Sequence, residues 1–202
     1  MFDLWPLSQA EMHGTSSGGL ECLWNGAIVH SCKDNIERQA MIHRMLRGGF
    51  PEALTRKTLA GAQRWLQSHA DALIERDMTD LARIGDVSHM RRLVSLAGSR
   101  TATVVNYADF WSASHDSTPL YRTGACGFFA FEIPAWAGNT SARLVRQPKL
   151  HLSDTGIACV LTGVDERSFP SQTILLGQLF ESFVVSEIRK AVTWSPTHLS
   201  LC

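Results

Sequence analysis

Leu59-Ala60-Gly61-Ala62-Gln63-Arg64-Trp65-Leu66-Gln67-Ser68-His69-Ala70-Asp71-Ala72-Leu73-Ile74-Glu75-Arg76-Asp77-Met78-Thr79-Asp80 is the stretch on which the fold class turns. Ala62, Trp65, Leu66, His69, Leu73 and Ile74 recur at three- and four-residue intervals, which gathers them into one stripe of an α-helix. Arg64, Gln67, Asp71, Glu75 and Arg76 fall largely off that stripe. The spacing predicts a long amphipathic helix and a mainly α chain with minor β.

Upstream, helical spacing starts near Asp34 and stops at Gly48-Gly49. Phe50-Pro51-Glu52 then restarts the chain, with Pro51 suited to the first turn of the next helix. Downstream, Met90, Leu93, Val94 and Ala97 form a second stripe over about Ser88–Ala97, closed by Gly98. Asn106 caps a further helix through Phe110. Ser112 to Gly127 shows no period of either kind. Arg143 to Ser153 reads as a strand, and Asp154 caps a short helix that ends at Gly163. Gly177 to Ala191 is the last helix, with Leu179, Phe180, Phe183, Val184 and Ile188 as its expected buried face.

The bulk composition excludes several classes. The chain has 202 residues, 45% of them apolar, enough for a packed core in one or two domains. Lysine plus arginine and aspartate plus glutamate are 19 each, so net charge is zero. That balance gives no bulk attraction to nucleic acid and little protection against self-association. Five cysteines at irregular spacing, with no C-x-x-C, argue against a disulfide framework. His30, Cys32 and Cys22 lack zinc-like spacing. No apolar run reaches about 18 residues and no secretory leader opens the chain, so the expectation is a cytoplasmic protein with no membrane span.

Several phrases, taken in order, resemble one family. Leu4-Trp5-Pro6-Leu7-Ser8 followed by Glu11, Gly48-Gly49-Phe50-Pro51-Glu52, and Trp65 through Leu81 are similar to segments of AAA-type ATP-binding proteins that carry a DUF4143 C-terminal region. So are Asn106-Tyr107, Pro134-x-Trp136-x-x-Asn139, Pro148-Lys149-Leu150, Asp154-Thr155-Gly156 and the run Gly177–Glu187. The resemblance implies three parts. Residues 1–57 would be a AAA lid remnant, 58–140 a degenerate winged-helix-like part, and 141–202 a truncated restriction-endonuclease-like α/β fragment. It implies ATP and magnesium as cofactors of the intact family.

Three departures qualify what is implied. A Walker loop needs glycines followed by Lys and Ser/Thr. The four lysines, Lys33, Lys57, Lys149 and Lys190, none of them after a glycine, supply no such loop, so no cofactor is expected on this chain. Trp111 to Gly127 lacks the amphipathic stripe of a DNA-reading helix, as a shifted reading frame or a degenerate gene would produce. A nuclease-like site needs an acid-x-Lys pair that the run to Cys202 does not provide.

Candidate site residues follow. Gly48, Gly49, Phe50 and Pro51 are a lid hinge or an ordinary helix stop and restart. Glu75, Arg76 and Asp77 are a polar interface or a solvated helix end. Arg91, Arg92, Arg100, Arg143, Arg146 and Lys149 are a phosphate-contacting surface or scattered solvated charges. Glu181 is a nuclease-like remnant or a surface carboxylate, and Asp154 is a helix cap. No catalytic or metal residue is singled out. The functional expectation is an inactive piece of an ATP-binding protein. The alternatives are a DNA-binding module through the winged-helix-like part and a divergent nuclease-like protein, with DNA and self-association as candidate partners.

Overall fold

The computed structural model describes residues 5–15, 25–26, 36–80, 87–114, 129–136, 146–169 and 173–194. Its elements, in chain order, are α1 (Gln9–Met12), α2 (Arg38–Arg47), α3 (Pro51–Leu54), α4 (Leu59–Asp80), α5 (Val87–Ser99), β1 (Thr103–Val104), α6 (Tyr107–Ser114), β2 (Ala130–Ile133), β3 (Lys149–Leu152), α7 (Thr155–Thr162) and α8 (Thr173–Trp194). The chain is mainly helical with a small antiparallel sheet, as the periodicity predicts. A AAA lid, a winged helix and a nuclease-like fold are not what these elements show.

Helix α4 coincides with the periodic stretch and runs 22 residues, about 33 Å at 1.5 Å per residue. Its stripe buries Ala62, Leu66, Ala70 and Ile74. The partner that receives it is α7, a short helix apolar on every side. Thr155 through Cys159 are all buried there, and α7 packs against α2, α4, α5, α8 and β3. A helix hydrophobic all round belongs in the interior, and α7 is the hub of the core. Met45, Leu46, Leu66, Met90, Val94, Leu152, Ile157 and Leu179 close around it.

Close approach to α7 explains Gly98. A Cβ there would sit 3.2 Å from Thr162 Cγ2 and 3.6 Å from the Ala158 carbonyl. Gly98 therefore lies inside α5, which continues to Ser99, and does not end the helix as expected. Its role is interhelical contact.

The sheet has the order β1-β3-β2, both neighbours antiparallel to β3. Thr103 faces Leu150, and Phe131 faces His151. Asn106 caps α6 as predicted, its Oδ1 accepting the Ala108 amide at 3.1 Å. The helix runs on to Ser114, past the point where periodicity fades. Residues 115–127, like Asp34 and Arg143 to Val145, lie outside the described residues.

Candidate functional site

One cluster of buried polar groups gathers where the first and last described segments of the chain meet. Asp154, buried at 3% exposure, caps α7 through Oδ1, which accepts the Ile157 amide at 3.0 Å. Its Oδ2 accepts the Gly49 amide at 2.7 Å. Gly48 has φ +68°, and a Cβ on it would lie 2.3 Å from Asp154 Oδ1. Only glycine admits both that backbone and that proximity. Thr155 Oγ1 donates to the Met45 carbonyl at 2.9 Å, so the start of α7 is tied to the end of α2 twice.

The same turn holds the N-terminal segment. Leu7 N–H donates to the Gly49 carbonyl at 2.8 Å. A Cβ on Gly49 would come within 2.4 Å of the Leu7 carbonyl oxygen. From the other side, α8 presents Glu187 and Lys190. Glu187 Oε2 accepts the Gln9 amide at 2.6 Å, and Lys190 Nζ donates to the Leu7 carbonyl at 3.2 Å. The two side chains pair with each other at 2.9 Å, and Lys190 is only 5% exposed. Ser8 and Glu11 close a capping box on α1, with Ser8 N–H donating to Glu11 Oε2 at 2.7 Å and Ser8 Oγ accepting the Glu11 amide at 3.2 Å. Beyond Leu7, Trp5 meets Phe131 edge to face at 5.7 Å, and the Arg189 guanidinium lies 4.4 Å from the Phe131 ring and 4.9 Å from the Trp5 ring. The cleft left among Gly49, Asp154, Thr155, Glu187 and Lys190 measures about 10 Å³, room for roughly one water.

A second cluster pins the sheet to α8. Leu152 N–H donates to Thr101 Oγ1 at 3.1 Å, Thr101 and Ser182 hydroxyls share a 2.7 Å bond, and Ser182 Oγ lies 3.0 Å from His151 Nδ1. Burial pushes the His151 imidazole down to about 4, opposed by the Glu181 carboxylate and aided by the Lys149 ammonium. A serine beside a neutral histidine is the pairing of nucleophilic catalysis. Here Ser182 has no exposed surface and His151 is 1% exposed, so no substrate reaches either. Burial also raises the Cys159 thiol, with Asp154 reinforcing it, which makes this sulfur a core atom and not a nucleophile. His69 stacks on Trp65 at 4.8 Å and meets Phe50 at 4.9 Å. Burial lowers its pKa, against Glu52 and Asp154.

Of the residues singled out from sequence, Gly48 and Gly49 stand at this site, and Phe50 and Pro51 carry the chain from it into α3. Glu75 and Arg76 are exposed near the end of α4, and the Asp77 side chain lies outside the described residues. Arg91 pairs with Asp71, and with Glu75 at 3.3 Å. Arg100 pairs with Asp109 at 2.9 Å, and Lys149 with Glu181 at 2.7 Å. Arg146 donates to the Trp136 carbonyl at 3.3 Å, and Arg92 is exposed. The structure thus pairs Arg91, Arg100 and Lys149 with acids, and Arg143 lies outside the described residues. Among the described residues no three His, Cys, Asp or Glu side chains are placed to hold a metal. No helix among them is long and apolar enough to cross a membrane. Glu187 and Lys190 were not among the site residues singled out from the sequence. The signal was a charged pair three apart on the apolar stripe that Leu179, Phe183 and Ser186 mark out.

A family model described as a domain of unknown function, DUF8612, matches residues 38–168. The chain belongs to this family. The DUF8612 match takes in α2 through α7 and all three strands, and leaves α1 and α8 outside it. The uncharacterized protein Rv2008c of Mycobacterium tuberculosis is 22% identical over 157 residues, 76% of this chain and 36% of its own length. The uncharacterized protein Mb2031c of Mycobacterium bovis matches with the same figures. The chain spans about a third of the length of these curated relatives. No solved structure matches it.

The DUF8612 match overturns the resemblance to AAA-type ATP-binding proteins with a DUF4143 region, and with it the reading as a piece of such a protein. The alternatives attached to it, a DNA-binding winged helix and a divergent nuclease, fall too. The physical reason lies in the phrases themselves. Gly-Gly-Phe-Pro-Glu is a helix stop and restart, Asp-Thr-Gly is a cap, and Ser-x-x-Glu is a capping box. Each records a local backbone need that recurs wherever a helix starts or stops.

Proposed function

We propose that this chain is a non-enzymatic connector, in which the DUF8612 core fixes the N-terminal segment Trp5–Glu11 against the C-terminal helix α8. The supporting observation is where the buried Asp154 and Lys190 and the half-buried Glu187 point. Asp154, Glu187 and Lys190 aim at the main chain of other segments, at Gly49 N, Gln9 N and the Leu7 carbonyl. Groups engaged in this way set the path of the backbone, and none of the three faces a substrate. The two tied segments are those the DUF8612 match leaves out, so the family core serves as the frame on which they meet. Gly48, Gly49, Phe50 and Pro51 act in this frame as a fixed corner.

The test is hydrogen exchange of the Leu7 and Gln9 amides in the unaltered chain and in the double variant Glu187→Gln, Lys190→Met. Protection in the former, lost in the latter while core amides such as Leu152 keep theirs, is the expected result. Unprotected Leu7 and Gln9 amides in the unaltered chain would refute the connector.

A further inference from the structure

The middle of Trp5–Glu11 is held by its backbone. The Gly49 carbonyl takes the Leu7 amide, Lys190 gives to the Leu7 carbonyl, and Glu187 takes the Gln9 amide. These contacts alternate donor and acceptor along Leu7–Gln9, where the chain enters α1. Neither Leu7 nor Gln9 offers its side chain to them. Side-chain selection enters at three further points: the aromatic Trp5 against Phe131 and Arg189, the buried Pro6 against Gly49, and the Ser8–Glu11 box. The box is internal to the segment, so the turn at its end is organised before it docks. Main-chain recognition with a few side-chain pockets is how proteins bind short linear peptides.

We propose that the groove between α8 and the Gly48–Gly49 turn is a peptide-docking site for linear segments of the form aromatic–Pro–x–Ser/Thr–x–x–Glu/Gln, with Trp5–Glu11 as its exchangeable resident. This rests on the docking of Trp5–Glu11 described under the proposed function and adds that the occupant is replaceable in trans. While the resident is seated, an outside segment competes with a tethered one whose effective concentration is high. Release of the resident opens the groove to a partner carrying the same pattern.

The test uses the full chain and a fluorescent peptide spanning Leu4–Thr15. In Leu7→Pro the resident loses the amide that meets the Gly49 carbonyl, while Gly49, Glu187 and Lys190 stay in place. The peptide is expected to bind Leu7→Pro saturably and at least tenfold tighter than it binds the unaltered chain. Adding Lys190→Met to Leu7→Pro is expected to weaken it at least tenfold. No saturable binding to a Leu7→Pro chain that still melts cooperatively overturns the proposal, as does binding indifferent to Lys190→Met. If Leu7→Pro fails to fold, exchange in the unaltered chain decides. Leu7 and Gln9 amides exchanging at least tenfold faster than that of Leu152, yet still protected, sustain an exchangeable resident. Equal rates overturn it. Protected amides without peptide binding sink the exchange alone, whereas unprotected amides sink the connector as well.

Discussion

Gly48 and Asp154 approach so closely that a methyl group on Gly48 would lie 2.3 Å from the Asp154 carboxylate. Gly163 has the same φ of +68° but open space around it. The pair separates two costs that glycine substitutions usually mix. Gly163→Ala meets only the left-handed backbone penalty, about 1–2 kcal/mol. Gly48→Ala meets a rarer backbone region, ψ near −167°, and the collision with Asp154. Thermal melting is expected to place Gly48→Ala at least about 2 kcal/mol below Gly163→Ala, within the usual range for overpacking. Equal losses would show that the corner yields and that Asp154 is not fixed.

Asp154→Ala removes a helix cap and the partner of a buried amide at once. The cap contributes about 1 kcal/mol, and a hydrogen bond to a charged group about 1.5–3 kcal/mol. A loss of roughly 3 kcal/mol in urea unfolding is expected, about 6–12 °C in melting temperature for a chain of this size. Asp154→Asn keeps an oxygen for the Ile157 amide and is expected to lose less. A loss under about 1 kcal/mol for the alanine variant would mean that the tie to Gly49 is not formed.

Much of this arrangement is legible in the sequence, because each part answers a local demand. The α4 stripe, the Pro51 restart and the Asp154 cap with Gly163 beyond it are set by neighbours within a turn or two. What escapes is whatever another element decides. Gly98 looks like a helix stop until α7 is laid against it. Helix α8 misleads for a related reason. With apolar residues all round, its three- and four-residue spacing permits more than one buried face. Phe180 and Val184 were expected inside and are exposed, while Ser182, Ser186 and Lys190 are buried. Ser182 and Lys190 go in because Thr101, His151 and the Leu7 carbonyl wait for them, partners that no local pattern reveals, whereas Ser186 donates to the Phe183 carbonyl of its own helix.

His151 gives stability a pH dependence with a definite sign. Its ordinary pKa of 6.5 falls to about 4 on burial, so below 6.5 the unfolded chain binds a proton that the folded chain refuses. The stabilisation is complete above pH 6.5 and is lost as pH falls toward 4. Urea midpoints at pH 7, 6, 5 and 4.5 are expected to decline across that window. His69, also lowered, adds to the decline. His151→Gln should flatten the curve more than His69→Gln does. A His151→Gln chain with the slope of the unaltered one would show that the imidazole is solvated.

Cys159 sits in the wall of the core, and burial holds its thiol protonated. Iodoacetamide at pH 8 is expected to label it about 100-fold or more slower than in urea, since access requires opening of the core. Peptide mass mapping after timed quenching reads the rate at this one position. Labelling at the unfolded rate would mean that α7 is not packed.

The two faces of α8 provide a final comparison. Leu179 and Phe183 are buried on its inner face, and truncating either to alanine should lose about 3 kcal/mol. Ile174, Phe180 and Val184 lie on the opposite face, exposed at 81%, 45% and 39%, and Gly177 beside them has nothing within 4 Å of its Cβ position. Glutamine suits a helix almost as well as any residue and removes little packing at such sites. Each of Ile174→Gln, Phe180→Gln and Val184→Gln is expected to shift stability by less than about 0.5 kcal/mol. Binding of a hydrophobic dye should fall at the same time, because the three form the apolar stripe that the dye would find. Losses near 3 kcal/mol on the outer face, with small ones at Leu179 and Phe183, would mean that α8 is rotated about its axis. Lys190 and Glu187 would then turn away from Leu7 and Gln9.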